Sequence, residues 1–297
     1  VDDFIDLDPT KISWTVNLKA DLVRGDKLTF HEEMLIPSTY RPYTKQWFYY
    51  ERRLNERLGT LPRIFPDTTS KNLLIMVKQR WSGEGQLALM VDCISELQTD
   101  GGTQCFPLYL YDEPDVSASD DLFATSDAPK TRTRREAITK EGLAHFQAAY
   151  PAESITREDI FFYVYGLLHS PDYRERFADN LSKELPRIPC VKSAADFWAF
   201  SKAGRALASL HLNYETIDAF PCEVVATCTL ALEHYRVEKM RYGKTKRDGK
   251  TVDDKTVLVY NDFITLKGIP LEAYEYVVNG KSALDWVVER QCVKTDK

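Results

Sequence analysis

Three helix-start signals between residues 137 and 212 constrain the fold more than any other feature of this sequence. Thr156 precedes acidic residues, Ser170 precedes Pro171, and Ser193 precedes a segment whose apolar residues recur every three or four positions. Ser and Thr accept hydrogen bonds from the free N–H groups at a helix start, and proline fits the first helical position. The sequence therefore predicts three helices, over residues 160–169, 171–185 and 194–210.

Strand signals lie on both sides of this helical segment. Apolar runs at 73–77 and 87–91 are separated by a glycine-containing turn, which predicts a hairpin. A third strand, at 106–111, follows the pair Gly101-Gly102. After Pro221 the sequence predicts four strands and two short helices: strands near 223–230, 234–241, 255–260 and 262–267, and helices that begin at Pro270 and Ser282.

In two regions the apolar residues do not recur at a regular spacing. Residues 1–70 are rich in aromatic side chains and predict an extended segment, whereas residues 112–136 are polar and predict a surface loop. The fold class expected is α+β, with β-rich portions flanking a central helical segment. The corresponding divisions of the chain are 1–135, 136–215 and 216–297.

Composition limits the class of protein. The chain has 297 residues, 43% of them hydrophobic, which is typical of a soluble globular protein. No apolar run approaches the roughly 20 residues that span a bilayer, and the six cysteines contain no CxxC pair. These features predict a cytoplasmic protein with reduced thiols and no membrane partner. The first residue is Val1, which suggests a piece of a longer polypeptide.

The sequence lacks the motifs of common catalytic sites. Gly243-Lys244-Thr245 resembles the end of a phosphate-binding loop, but the position five residues before its Gly-Lys pair holds Glu238 instead of glycine. None of the five histidines has zinc-site spacing. His169 and His211 are expected to have structural roles, and a cationic His211 would be favoured at its helix end. We therefore predict no catalytic residue, no metal site and no cofactor in this chain.

A basic cluster lies between residues 239 and 250, on a predicted strand and the loop that follows. Such a cluster is able to neutralise several phosphates, although a solvated hairpin tip is an equally good interpretation from the residues alone. The candidate DNA-binding residues here are Lys239, Arg241, Lys244, Lys246, Arg247 and Lys250.

A second candidate group lies upstream, at Arg41, Lys45 and Gln46. Arginine and glutamine are able to read guanine and adenine edges through paired hydrogen bonds. Alternatively, the neighbouring aromatic residues form a core while the basic groups pair with carboxylates at its edge. Trp47 is expected to pack in such a core, and the roles of Arg41 and Gln46 stay open.

Several longer strings resemble one family, the C-terminal target-recognition region of single-chain Type ISP restriction–modification enzymes. The resemblance covers most of the chain, and several long strings in one order are more specific than a single motif. The strings that carry it include residues 40–47, 52–56, 101–111, 161–166, 168–174, 185–189, 210–215, 239–242, 269–274 and 278–286.

The resemblance implies sequence-specific binding of double-stranded DNA. Full-length members place a nuclease, an ATP-driven motor and an N6-adenine methyltransferase before this region, and their cofactors are S-adenosylmethionine, ATP and Mg²⁺. This chain would present the target adenine to the methyltransferase and would not be an enzyme on its own. Because target sequences vary between members, the resemblance assigns no base-reading residue; the recurring strings are expected to be scaffold.

One alternative is a protein-interaction module that joins a bacterial helicase to a partner and does not read DNA. A net charge of −6 and abundant aromatic residues favour it, because proteins that coat DNA without specificity are basic. A free-standing nuclease is a third interpretation, which the missing metal motif disfavours.

Overall fold

The computed structural model describes residues 4–6, 8, 13–83, 85–86, 88–96, 102–112 and 132–293, and the fold is mixed α+β as expected. The helices are α1 (Val16–Arg24), α2 (Leu61–Ile64), α3 (Lys140–Ala149), α4 (Arg157–Leu168), α5 (Pro171–Arg176), α6 (Ala178–Leu181), α7 (Ala194–Asn213) and α8 (Ala283–Arg290). The strands are β1 (Leu35–Arg41), β2 (Thr44–Tyr49), β3 (Leu74–Lys78), β4 (Ala88–Val91), β5 (Ile94–Ser95), β6 (Thr103–Pro107), β7 (Tyr109–Asp112), β8 (Thr133–Glu136), β9 (Glu223–Ala226), β10 (Arg241–Arg247), β11 (Lys250–Val259), β12 (Ile264–Lys267), β13 (Val277–Val278) and β14 (Lys281–Ser282).

The prediction of an extended segment over residues 1–70 holds at β1 and β2 but is wrong at the helices α1 and α2, and residues 1–3, 7 and 9–12 lie outside the described part. Thr15 accepts a hydrogen bond from the N–H of Leu18 and so starts α1, while Gly25 ends it in the left-handed conformation. β1 and β2 then form an antiparallel pair, and β5 adds to β1 in parallel, which makes a sheet in the order β2-β1-β5.

The predicted hairpin is confirmed as β3 and β4, although Leu87 lies outside the described residues. Gly101, which precedes the third predicted strand, lies outside them as well. The predicted strand at 106–111 is divided at the buried Leu108 into β6 and β7. β6 joins a sheet in the order β4-β3-β6. β7 pairs with β8, so the prediction of a loop is wrong over Thr133–Glu136; residues 113–131 lie outside the described part.

The predicted starts of the central helices are confirmed. Thr156, Ser170 and Ser193 each accept a hydrogen bond from a backbone N–H three residues on. The second helix is shorter than predicted, because the backbone of Phe177 leaves the helical conformation (φ −107°, ψ 13°) and separates α5 from α6. The predicted helix after Pro270 is a single 3-10 turn, Leu271–Tyr274, followed by β13 and β14.

Helices α4 and α7 pack at van der Waals distance. A Cβ atom built on Gly166 would lie 2.3 Å from the carbonyl oxygen of Phe200, and one built on Gly204 would lie 2.0 Å from that of Phe162. Only glycine allows the two backbones to approach so closely. Around this crossing, Tyr163, Tyr165 and Phe197 are fully buried in the largest core, which also includes residues of β3 and β4.

The C-terminal sheet has the order β10-β11-β12-β9. The strand predicted near 234–241 is replaced by a 3-10 turn at Leu232–Tyr235, and β10 begins only at Arg241. Val278 packs in the core of the N-terminal sheets, so the last segment returns to the first. In the part of the chain that the structure describes, no helix is long and apolar enough to cross a membrane.

Candidate nucleic-acid interface

The basic cluster lies on a β-hairpin that extends beyond its sheet. β10 and β11 pair from Arg241 opposite Val259 to Arg247 opposite Lys250. β12 covers only the last part of β11, from Val257 to Val259. Residues 243–254 therefore form a two-stranded ribbon that pairs with no third strand among the described residues. At about 3.4 Å per residue, its five residue pairs span roughly 14 Å.

Two local features shape this ribbon. At its tip, Asp248 and Gly249 both have positive φ, 52° and 74°, which is the two-residue turn that Asp-Gly sequences favour. At its base, the register shifts between Tyr242 and Gly243, and a Cβ atom on Gly243 would lie 2.8 Å from that of Val257. Glycine at this position thus permits the irregular pairing that redirects the strand.

The cations of the cluster differ in their partners. The Nζ of Lys244 lies 2.5 Å from Asp253 across the ribbon, and Arg241 lies 3.5 Å from Asp262. Lys239, Lys246, Arg247 and Lys250 are exposed and have no acidic partner in the described ranges. The loop predicted after the strand is therefore wrong, because β10 and β11 continue through it as a ribbon. Lys246, Arg247 and Lys250 lie near its tip, beside Asp248.

The upstream candidates are more constrained. Arg41 donates to Glu96 and lies 4.1 Å from the ring centre of Tyr40. Lys45 donates to Glu215 over 2.8 Å. This carboxylate raises the pKa of the Lys45 amine, although burial, the largest single influence, acts in the opposite direction. Gln46 is exposed on the edge strand β2, and its side chain has no hydrogen-bond partner among the described residues.

Trp47 differs from expectation. Its side chain is 75% exposed, so the prediction that it packs in a core is wrong. It lies on β2, the edge strand of its sheet, and among the residues described it stacks on no other ring. A large exposed aromatic side chain of this kind is typical of a binding surface.

His169 and His211 form part of a buried cluster with three tyrosines. Burial lowers the pKa of His169 to about 4 and that of His211 to about 3, so both imidazoles are neutral at pH 7. The expectation of a cationic His211 is therefore wrong. Tyr165 accepts from the N–H of Met90 over 2.9 Å and donates to Nδ1 of His211. These groups have the structural role expected of them.

The described residues contain no group of three or more His, Cys, Asp or Glu side chains that could hold a metal ion. The cysteines are free thiols, and burial raises the pKa of Cys105 to about 11, which disfavours its thiolate. The candidate nucleic-acid interface therefore consists of exposed cations and polar side chains that lie on strands.

Comparison with known proteins places the chain in one family. The family model described as the Type ISP C-terminal specificity domain matches residues 2–297, and the chain belongs to this family. Comparison with curated protein sequences gave no match.

Three solved structures are similar over almost the whole chain. The ATP-dependent Type ISP restriction-modification enzyme LlaBIII bound to DNA has a TM-score of 0.76 and 34% identity, over 96% of this chain and 17% of that one. A nuclease-deletion mutant of LlaGI in complex with a DNA substrate mimic has a TM-score of 0.72 and 32% identity, over 99% and 20%. A DrdV–DNA complex has a TM-score of 0.73 and 30% identity, over 95% and 26%. This chain therefore spans at most about a quarter of each.

Proposed function

We propose that this chain recognises a specific sequence in double-stranded DNA for a Type ISP restriction–modification enzyme. The observation that carries the proposal is the ribbon of residues 243–254, whose cations Lys246, Arg247 and Lys250 lack an acidic partner within the described residues. The major groove of B-DNA, about 12 Å wide, admits a two-stranded β-ribbon. A ribbon of roughly 14 Å is long enough to cross it.

The cations of the ribbon dock on phosphates and set the register, while side chains near its tip reach base edges. Arg41 and Lys45 already pair with Glu96 and Glu215. Contact with DNA would exchange a protein carboxylate for a phosphate, so we expect these two residues to add less affinity than the ribbon does. Gln46 has no such competitor in the described part of the chain and is a candidate for base reading.

We further propose that the chain presents its target adenine to a methyltransferase, and relays recognition to an ATP-driven motor, in the same polypeptide. The similarity to DNA-bound Type ISP enzymes supports this view. The chain covers only 17% of LlaBIII, so most of such a polypeptide lies outside the matching part. The catalytic work would then reside in other domains of that polypeptide.

The role of the ribbon is tested by replacing Lys246, Arg247 and Lys250 with threonine, which keeps a high strand propensity. Each lost phosphate contact should reduce the slope of log affinity against log salt by about 0.9. We expect a shallower slope and weaker duplex binding, measured by fluorescence anisotropy across a salt series.

The matched control replaces Lys19, Lys192 and Lys202 with glutamine. These lysines are also exposed and lack acidic partners among the described residues, so the change in net charge is the same. We expect the control to keep the slope of the unmodified chain. Equal slopes for the ribbon variant and the unmodified chain would remove the ribbon from the interface.

A second candidate function is protein docking without DNA reading. Large apolar side chains are exposed on the C-terminal portion: Leu232 is 88% exposed, Phe220 60% and Val224 58%. Selection from a random duplex library separates the two functions, because a specificity domain should enrich one asymmetric motif. Without enrichment, the selection is repeated on the longer polypeptide; a motif found only there means that reading requires the methyltransferase, and none at all favours docking.

A further inference from the structure

The base of the ribbon contains a wide bulge in β11. Tyr242 pairs with Leu258, but the next residue of β10, Gly243, pairs with Asp254. Residues 255–257 of β11 therefore lie between two consecutive pairs and form the bulge. Because bulges bend a strand and increase its twist, this one sets the direction in which the ribbon leaves its sheet.

Hydrogen bonds hold the backbone of the bulge. The carboxylate of Asp254 accepts from the N–H and from the hydroxyl of Thr256, over 3.0 and 2.6 Å. The carbonyl of Lys255 accepts from the hydroxyl of Tyr274 over 2.8 Å, and that of Thr256 accepts from the N–H of Ile269 over 3.1 Å. These bonds compensate for the strand pairing that the bulge interrupts.

The side chain of Lys255 connects the bulge to α8. Its Nζ lies 3.2 Å from each carboxylate oxygen of Asp285, in the first turn of α8. The same amine lies 4.5 Å from the ring centre of Tyr274 and 5.4 Å from that of Tyr242, within the range of cation–π attraction. The hydroxyl of Tyr242 donates to Asp285 over 2.6 Å. One carboxylate of α8 therefore binds both strands at the base of the ribbon.

Helix α8 is in turn anchored to the N-terminal sheets. Trp286, the residue after Asp285, is buried and donates to the carbonyl of Val278 over 2.8 Å. Val278 packs in the core that residues of β1 and β3 also form. The contact of Lys255 with Asp285 therefore ties the ribbon to a buried part of the molecule.

We propose that Lys255 is a positioning residue: its ion pair with Asp285 fixes the orientation of the ribbon, and this orientation determines which base edges the tip reaches. The inference rests on the proposed function, because it assumes that the ribbon enters a groove of DNA. Base reading requires well-aligned hydrogen bonds, which weaken steeply as their angles depart from linear. A ribbon that swings at its base would keep its cations and their attraction to phosphates, but it would lose its alignment with the bases.

The orientation of the ribbon is measurable without DNA. Residual dipolar couplings of ¹⁵N-labelled lysine amides report how each amide is oriented relative to the whole molecule. Lys244, Lys246 and Lys250 lie in the ribbon, while Lys202 in α7 and Lys267 in β12 serve as references. Methionine in place of Lys255 keeps the apolar stem and removes the charge. We expect Lys255→Met to alter the couplings of the three ribbon lysines and to leave those of the two references unchanged, which also shows that the variant is folded.

The effect on reading is measured with two duplexes, one with the motif that the library selection enriches and one with a scrambled sequence. Lys255→Met should lower the ratio of the two affinities about 5-fold or more, the factor that corresponds to one base pair no longer read. The salt slope should stay unchanged, because the cations near the tip remain. Lys255→Arg should keep the ratio, since a guanidinium also pairs with a carboxylate and stacks on aromatic rings.

Lys281→Met is the matched control. Lys281 pairs with Glu289 and lies 4.9 Å from the ring centre of Trp286, and its side chain is 41% exposed against 40% for Lys255. It lies in β14, outside the ribbon. We expect this variant to change neither the couplings of the ribbon lysines nor the ratio of affinities.

Unchanged couplings of the ribbon lysines in the Lys255→Met chain, or an unchanged ratio of affinities, overturn the proposal. A salt slope lower by about 0.9 overturns it as well, because Lys255 would then contact a phosphate itself. If neither the unmodified chain nor the longer polypeptide enriches a motif, the proposed function fails. The couplings alone then decide whether Lys255 fixes the orientation of the ribbon.

Discussion

The crossing of α4 and α7 gives a sharp prediction for the substitution Gly204→Ala. The added Cβ would lie 2.0 Å from the carbonyl oxygen of Phe162 and 2.9 Å from the backbone nitrogen of Gly166. Real Cβ atoms essentially never approach a heavy atom within 3.0 Å. Because both neighbours are backbone atoms, no side-chain rotation relieves the clash, and the helices must separate locally by roughly 1 Å.

The cost follows from the surroundings of the crossing. Overpacking of a well-packed core costs about 1–3 kcal/mol, and occasionally more. Fully buried Tyr163 and Phe197 lie in the same core, so movement of one helix disturbs their packing as well. Alanine is intrinsically favoured over glycine within a helix by about 1 kcal/mol. Since a contact of 2.0 Å belongs at the upper end of the overpacking range, we expect a net loss of about 2 kcal/mol in the free energy of unfolding.

Urea unfolding followed by circular dichroism measures this loss. Gly142→Ala is the matched control, because Gly142 lies in α3 and its added Cβ would meet only side-chain atoms, the nearest at 3.3 Å. We expect that substitution to be neutral or to stabilise the chain by up to about 1 kcal/mol. If Gly204→Ala were as stable as the unmodified chain, the close helix contact would not exist in solution.

Two further predictions concern stability. Burial lowers the pKa of His169 to about 4 and that of His211 to about 3. Below about pH 6.5 the unfolded chain therefore binds more protons than the folded chain. Each histidine should cost about 2 kcal/mol of stability when the pH falls from 7 to 5. Urea titrations at both pH values should show a smaller acid loss for His211→Gln than for the unmodified chain. Ser193→Ala removes the acceptor for the N–H of Asp196 and should cost about 1 kcal/mol by the same assay, whereas no change would mean that water replaces the cap.

The features that the sequence predicts well are local. Thr156, Ser170, Ser193 and Ser282 each begin a helix as expected, because a cap depends only on residues within one turn. The hairpin of β3 and β4 was likewise predictable, since its two apolar runs are separated by a short turn. The Asp248-Gly249 pair is also a hairpin signal, and with it the full length of the basic ribbon was within reach of sequence reasoning.

The features that the sequence did not predict depend on contacts between distant segments. β5 contributes two residues and pairs in parallel with β1, and no periodicity marks such a short strand. β8 reads as a polar segment, yet it pairs with β7 over four residues, and Arg135 bonds Asp112 across the pair. A cleft of about 750 Å³ has the same origin, because β2 and β6, which line it, belong to two different sheets. Trp47 was misjudged because burial on an edge strand is a property of the assembled sheet.

The two candidate DNA-contacting surfaces lie far apart in sequence, and the buried histidine–tyrosine cluster connects the parts that carry them. Tyr43, in the turn after β1, packs edge-on against His211 of α7, and its carbonyl oxygen accepts from Gln291 over 2.8 Å. His169 donates from Nδ1 to the carbonyl of Tyr165, so its Nε2 accepts from Tyr276 over 3.2 Å. The partly buried hydrogen bonds of His169 and of Tyr165 with His211 fix the packing of these segments more firmly than the exposed bond of Gln291 does. We infer that they hold the β1–β2 edge at a fixed orientation to the C-terminal sheet, which a reader with two separate contacts to one DNA site requires.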